Sequence, residues 1–198
     1  WKSTGKDPRG GNKPPIIHCL CEGRPGTFIN SVGLRNSGAD QTAKDMSELK
    51  LPPDRFLMSS AYGAVPADMA YVVERLDPYA DGHELNFSCR HTPGFGIEVS
   101  HNPESVSGFV KAARERTRKP LLAKFTNTEL LEALVKAALS AGANGIVVTN
   151  TVDTKIYEVD GHPILGAIEH THTFTPGTET APTLFIKATA ILGGIDIK

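Results

Sequence analysis

The sequence predicts an α/β protein built on a parallel sheet, and three observations support this. First, strand-like and helix-like stretches alternate from residue 55 to residue 150, the rhythm of parallel strands joined by crossover helices. Second, the runs Leu-Leu-Ala-Lys-Phe (121–125) and Gly-Ile-Val-Val-Thr (145–149) are nearly continuous in apolar residues, as strands covered on both faces are. Third, each strand is apolar at its start and reactive at its end: Asn-Phe-Ser-Cys (86–89), Ala-Lys-Phe-Thr (123–126) and Val-Thr-Asn (148–150). Chemistry at the carboxyl ends of successive strands marks a (β/α)8 barrel. An open doubly wound sheet would gather it chiefly at one switch point, and no G-x-G-x-x-G follows any strand here. The expected architecture is a TIM barrel in a single domain over residues 1–198. It is expected to be incomplete, because such barrels typically need about 250 residues.

The elements follow in order. Residues 1–55 are rich in Gly and Pro and read as loops. Residues 55–61 read as a buried strand. Residues 66–80 read as a helix with Met69, Val72, Val73 and Leu76 on one stripe. His83–Ser88 is the next strand, and 102–117 a second helix with Pro103 in its first turn. Residues 120–126 form a strand. The helix after it is expected to open on a Thr126–Glu129 capping box and to bury Leu130, Leu131, Leu134, Val135 and Ala138, with Gly142 as its stop. Residues 145–150 are a strand, and 181–192 read as a final helix.

Composition narrows the function. With 39% hydrophobic and 22% charged residues the chain has an ordinary globular balance. A net charge of −1 gives no global field toward nucleic acid or anionic membrane. No run approaches the roughly eighteen apolar residues of a spanning helix, and the first residues lack the apolar core of a signal peptide; a cytoplasmic protein is expected. Cys19 and Cys21 form C-x-C rather than a C-x-x-C redox or zinc pair, and read as reduced structural thiols. His170 and His172 stand two apart without a carboxylate scheme, so no metal site is expected.

Period two places Asn86 and Ser88 opposite Leu85 and Phe87, groups Leu122, Lys124 and Thr126, and groups Ile146, Val148 and Asn150. A lysine ending an apolar strand either snorkels to water or meets a ligand. Asn86 and Asn150 either satisfy each other or grip a planar heterocycle with amide edges. Cys89, before a Pro/Gly loop, is either a small buried hydrophobe or a reactive thiol.

Several motifs together resemble the dihydroorotate dehydrogenase family. Glu-Leu-Asn-Phe-Ser-Cys (84–89) followed by Thr-Pro-Gly (92–94) is similar to the family's E-L-N-x-S-C-P-N strand and its V-P-G loop. Residues 2–15 resemble its K-S-x-T…R-x-G-N-x-x-P segment, and 28–38 its I-N-S-x-G-L-x-N-x-G loop. Leu121–Thr126 resembles the strand with a flavin-contacting lysine, and Thr149–Val152 the next strand's end. The blocks come in the family's order from residue 2 to about residue 152.

The resemblance implies a TIM barrel with FMN at its mouth and dihydroorotate stacked on the flavin. A base takes a proton from C5, and hydride passes from C6 to the flavin. Cys89 matches the cysteine base of the soluble class. Lys2, Ser3, Lys124 and Val148 match cofactor contacts. Lys2, Asn30, Gly33, Leu34, Asn86, His91, Asn150 and Thr151 match contacts to the pyrimidine. The Thr92-Pro93-Gly94 loop resembles the subclass that reduces fumarate as a homodimer without an iron–sulfur partner, so fumarate is the expected acceptor.

The chain also departs from the family. Arg90 replaces a proline, and a cation beside a thiol lowers its pKa. His91 replaces an asparagine, as in the related dihydropyrimidine dehydrogenases, so a neutral pyrimidine such as dihydrouracil is an alternative substrate. The Gly-Gly-x-x-G turn that cradles the FMN phosphate is missing after Asn150, which leaves open a non-catalytic relic or binding subunit.

Overall fold

The structure, a computed structural model, describes residues 1–20, 27–89, 92–148, 167–169 and 187–189. The chain divides into two units: residues 1–12 with 33–152, and residues 13–32 with 153–198.

The first unit holds β1 (Ser3–Thr4). In the second lie β2 (Ile17–Leu20) and β3 (Thr27–Asn30), an antiparallel pair with Ile17 opposite Asn30. The first unit resumes with α1 (Ala39–Ser47), β4 (Met58–Ala61), α2 (Pro66–Leu76), β5 (Gly82–Asn86), α3 (Pro103–Arg114), β6 (Leu121–Lys124), α4 (Leu131–Ser140) and β7 (Gly145–Val147). In the second unit β8 (Ala167–Glu169) and β9 (Lys187–Thr189) pair antiparallel. Lys187–Thr189 therefore corrects the expected helix over 181–192; the rest of that stretch lies outside the described residues.

The five strands of the first unit form a parallel sheet in the order β1-β4-β5-β6-β7. Each new strand is added on the same side of the last. A doubly wound sheet reverses its strand order at a switch point, and this sheet does not reverse, so it is a segment of a (β/α) barrel.

Strand register divides the side chains between two faces. Ser3, Ser60, Glu84 and Leu122 stand in one row across the sheet, with Asn86 beside Lys124 in the next. Leu85, Phe87, Ala123 and Phe125 alternate with these residues and join one buried core with Met69, Val72, Val106 and Leu134 of the helices. Phe87 stacks on Phe125 at 5.4 Å between centroids and meets Phe109 edge-on at 5.8 Å. The register also sets Val147 beside Lys124, while Ile146 packs on the helix-side core.

Helices α2 and α3 start as their sequences predict. Pro66 and Pro103 occupy first-turn positions, where the missing N–H has no helical role. Asn102 Oδ1 accepts the Ser105 N–H at 2.8 Å, a cap worth about 1 kcal/mol. The Thr126–Glu129 capping box does not form, and α4 starts at Leu131 with no side-chain cap. Phe125 explains the delay: its N–H donates to Val147 O at 3.0 Å and its ring is buried, so the chain stays extended past β6. Leu130 is consequently exposed, while Leu134 and Ala138 are buried. Gly142, at φ +112°, ends α4, and a Cβ there would lie 3.0 Å from Arg114 Cγ. Residues 1–55, expected as loops, contain α1, which buries Ala39, Thr42, Ala43 and Met46. Among the described residues no helix is long and apolar enough to cross a membrane.

Candidate active site

The polar face of the sheet carries a connected row of side chains near the strands' carboxyl ends. Asn86 Nδ2 donates to Ser3 Oγ at 2.8 Å. Ser3 Oγ lies 2.9 Å from Ser60 Oγ, and Ser60 donates to Glu84 Oε1 at 2.9 Å. Lys124 Nζ stands 3.9 Å from the same carboxylate oxygen, an ion pair beyond hydrogen-bond length. Asn86 Oδ1 accepts the Ser88 N–H at 2.9 Å and the Ser88 hydroxyl at 2.8 Å. Among the described residues Asn86 is held by Ser3 and Ser88; Asn150, the partner the sequence offered, lies outside them.

Cys89 follows directly. Its side chain is buried with Leu34 and Tyr62, and Phe95 packs on this group. The thiol donates to Thr92 Oγ1 at 3.5 Å. Gly96 carries the next turn past the thiol's backbone. Ile97 N–H donates to Cys89 O at 3.1 Å, and a Cβ on Gly96 would fall 2.1 Å from that oxygen, so only glycine fits. Phe95 meets Tyr62 edge-on at 5.2 Å, and the Arg9 guanidinium lies 5.5 Å from the Phe95 ring centre.

The other wall is the Gly33–Leu34 turn. Leu34 has φ +56°, a strained conformation for a branched side chain. Asn36 holds it there. Its Nδ2 donates to Leu34 O at 2.8 Å and Tyr62 Oη at 2.7 Å, and its Oδ1 accepts from Gly5 N–H at 3.2 Å and Gly38 N–H at 2.8 Å. Burial raises the Tyr62 pKa, against the lowering effect of the Asn36 hydrogen bond.

Ser3, Gly33, Leu34, Asn86, Cys89 and Lys124 therefore share the first unit, where Leu34 packs with Cys89 and Ser3 bonds Asn86. Lys2 is exposed and lines a cleft of about 340 Å³ with Arg9, Arg35 and Asp45. Val148 is exposed, past the end of β7. Asn30 belongs to the second unit. Arg90, His91, Asn150, Thr151, Cys21, His170 and His172 lie outside the described residues. Sequence reading missed Glu84, Ser60, Asn36 and Tyr62. Glu84 was accessible to it, since period two puts it on the face of Asn86.

A parallel sheet wound in one direction, with an amide, a thiol and an ammonium near the carboxyl ends of its strands, is the arrangement of a (β/α)-barrel protein. The sequence profile described as dihydroorotate dehydrogenase matches residues 1–165, and the chain belongs to that family. Over 152 residues it is 38% identical to the dihydroorotate dehydrogenase B (NAD(+)) catalytic subunit of Pyrococcus horikoshii, covering 76% of this chain and 48% of the relative. The Methanocaldococcus jannaschii protein of the same description is 32% identical over 156 residues, covering 76% and 49%. The crystal structure of the Eimeria tenella dihydroorotate dehydrogenase in complex with ferulenol matches with a TM-score of 0.61 at 20% identity, covering 75% of this chain and 49% of that one. The chain spans about half the length of the curated relatives it matches.

These relatives overturn fumarate as acceptor, because they are NAD(+)-type catalytic subunits by name. The structure shows why the Thr92-Pro93-Gly94 loop misled. Phe95 N–H closes onto Thr92 O at 3.2 Å and Gly94 has φ +80°. Pro then Gly at the two central positions is what a type II turn requires, whatever the electron acceptor.

Proposed function

We propose that the chain is the front part of a catalytic subunit that oxidises dihydroorotate to orotate with FMN, in pyrimidine biosynthesis in the cytoplasm. The observation that carries this is the placement of Cys89. The thiol is buried beside Leu34 and Tyr62 and follows, through Ser88, an asparagine whose carbonyl is already occupied. In this reading NAD(+) is the final acceptor, following the relatives' printed names, and the words "catalytic subunit" imply a companion chain.

The described residues fit the ring of such a cofactor. Lys124 is an ion-paired ammonium whose partner sits too far away to take a hydrogen bond, so it can donate to an electron-rich ring edge. On the loop after β6, Thr128 Oγ1 is buried without a hydrogen-bond partner among the described residues, an acceptor and donor that a ligand can satisfy. Ser3, through its backbone, would join Lys124 in holding the ring, and Lys2 and Val148 complete the proposed cofactor contacts. When bound, FMN supplies the hydride acceptor.

The chain's own residues do the rest. Asn86 fixes the pyrimidine edge, with Asn150, Thr151 and His91 as proposed partners. The Gly33–Leu34 turn and Tyr62 exclude water from one side. Cys89 is the proposed base that takes the proton from the substrate's C5.

The test is an anaerobic visible spectrum of the chain, equilibrated with FMN and freed of excess. Bound flavin bleached by dihydroorotate is the expected result. Bound flavin that dihydroorotate leaves oxidised would overturn the substrate assignment.

A further inference from the structure

We propose that Glu84 is a specificity-determining positioning residue. Through Ser60 and Ser3 it makes the site complementary to a cyclic imide edge, a ring N–H beside a C=O. The inference rests on the site reading above, and it concerns a residue that touches neither Cys89 nor the proposed ligand.

Both ends of the polar row have a fixed sense. At one end the Ser88 backbone N–H can only donate, so the Asn86 atom 2.9 Å away is its carbonyl oxygen and the other amide atom is the NH2 group. That NH2 donates to Ser3. At the other end a carboxylate only accepts, so Ser60 spends its single hydrogen on Glu84. The 2.9 Å bond between the two hydroxyls must then run from Ser3 to Ser60. The row reads in one direction: Asn86 to Ser3 to Ser60 to Glu84, with Lys124 beside the terminal carboxylate.

This direction determines what a ligand meets. Asn86 Oδ1 already accepts two hydrogen bonds, so Asn86 offers only its second N–H. Ser3 has given its hydrogen to Ser60 and offers only a lone pair. A donor and an acceptor side by side pair with a C=O and an N–H side by side, and reject a ring edge bearing two acceptors. Glu84→Gln removes the constraint, because a glutamine amide can donate to Ser60, reverse that hydroxyl and free the Ser3 hydrogen. Each bond in such a row polarises the next, so the change is felt at Asn86.

The test uses the whole chain with side-chain amide NMR, the Asn86 signal being identified by its loss in Asn86→Asp. Glu84→Gln and Ser60→Ala are compared with the unmutated chain, and Ser60→Thr serves as the restoring variant. Ser60→Ala leaves the Glu84–Lys124 ion pair in place, so a purely charge-neutralising role for Glu84 predicts no movement there. The expected result is a displaced Asn86 amide signal in both variants and its return in Ser60→Thr. In the same samples the preference for orotate, which has the imide edge, over nicotinate, a planar ring acid without it, falls about tenfold. An unmoved Asn86 signal in both variants overturns the relay. A moved signal with unchanged preference overturns the specificity role. If the unmutated chain binds no orotate while the amide signal still moves, the proposed substrate fails and the relay is supported.

Discussion

The two faces of the five-stranded sheet are built from the same strands and do opposite work. On one face Leu85, Phe87, Ala123 and Phe125 are buried against the helices. On the other Asn86, Ser3, Ser60 and Glu84 form a hydrogen-bonded row, with Lys124 ion-paired to Glu84 at its end. The apolar face gains from every methylene it hides and is indifferent to direction. The polar face contributes little net stability per bond, but each bond has a donor and an acceptor, and so carries a sense. Alternation along β5 thus separates a stabilising task from a selecting one.

This contrast can be broken from either side. The largest effect is expected at the polar end: Cys89→Ala lowers dihydroorotate turnover by about a hundredfold or more and leaves the melting temperature nearly unchanged, measured by stopped-flow flavin reduction and calorimetry. Unaltered turnover would remove Cys89 from the role of base. On the apolar face Phe87→Ala, which removes both ring contacts of the buried side chain, costs about 3–5 kcal/mol in denaturant unfolding; a loss below 1 kcal/mol would contradict the packing described.

A smaller effect is expected where a polar group sits on the helix-facing side. His83 is fully buried, with Nδ1 2.7 Å from Ser59 Oγ and Nε2 3.0 Å from Asp77 Oδ1. Burial lowers its pKa below the ordinary 6.5, only partly offset by Asp77. Because the folded value is the depressed one, the unfolded chain binds the proton first. Stability is full above pH 6.5 and falls as the pH drops below it. Urea titrations across that range should show the slope, and His83→Leu should flatten it. Asp77 is also lowered: burial raises it, but hydrogen bonds from Thr117 and His83 and the Lys119 charge prevail; its contribution is lost only below the ordinary 3.8. The smallest effect is local: Asn102→Ala removes the α3 cap and lowers stability by about 1 kcal/mol, read by the same titration.

Legibility followed the same division. Helices α2 and α3 and strands β5 and β6 could be read because periodic apolar residues and Pro starts are local signals. Helix α1 could not: its buried face is Ala39, Thr42, Ala43 and Met46, too small and polar to form a stripe. The Thr126–Glu129 box had the right letters, but the long-range stacking of Phe125 on Phe87 held the chain extended through it. Asn86, Cys89 and Lys124 were legible as strand ends. Asn36 was not, because its importance lies in partners at Gly5, Leu34, Gly38 and Tyr62, which sequence spacing does not bring together.

That asparagine also governs how this part of the molecule comes apart. Asn36 uses two acceptor and two donor positions at once, so the segments it joins share one opening event. The amide hydrogens of Gly5 and Gly38, distant in sequence, should exchange with solvent deuterium at a common rate set by the same sub-global fluctuation. Leu34 and Tyr62, the neighbours of the thiol, belong to that cooperative unit. The reactivity of Cys89 toward an alkylating reagent should therefore report the same opening, which makes an asparagine bonded to both of the thiol's neighbours the timekeeper of its exposure.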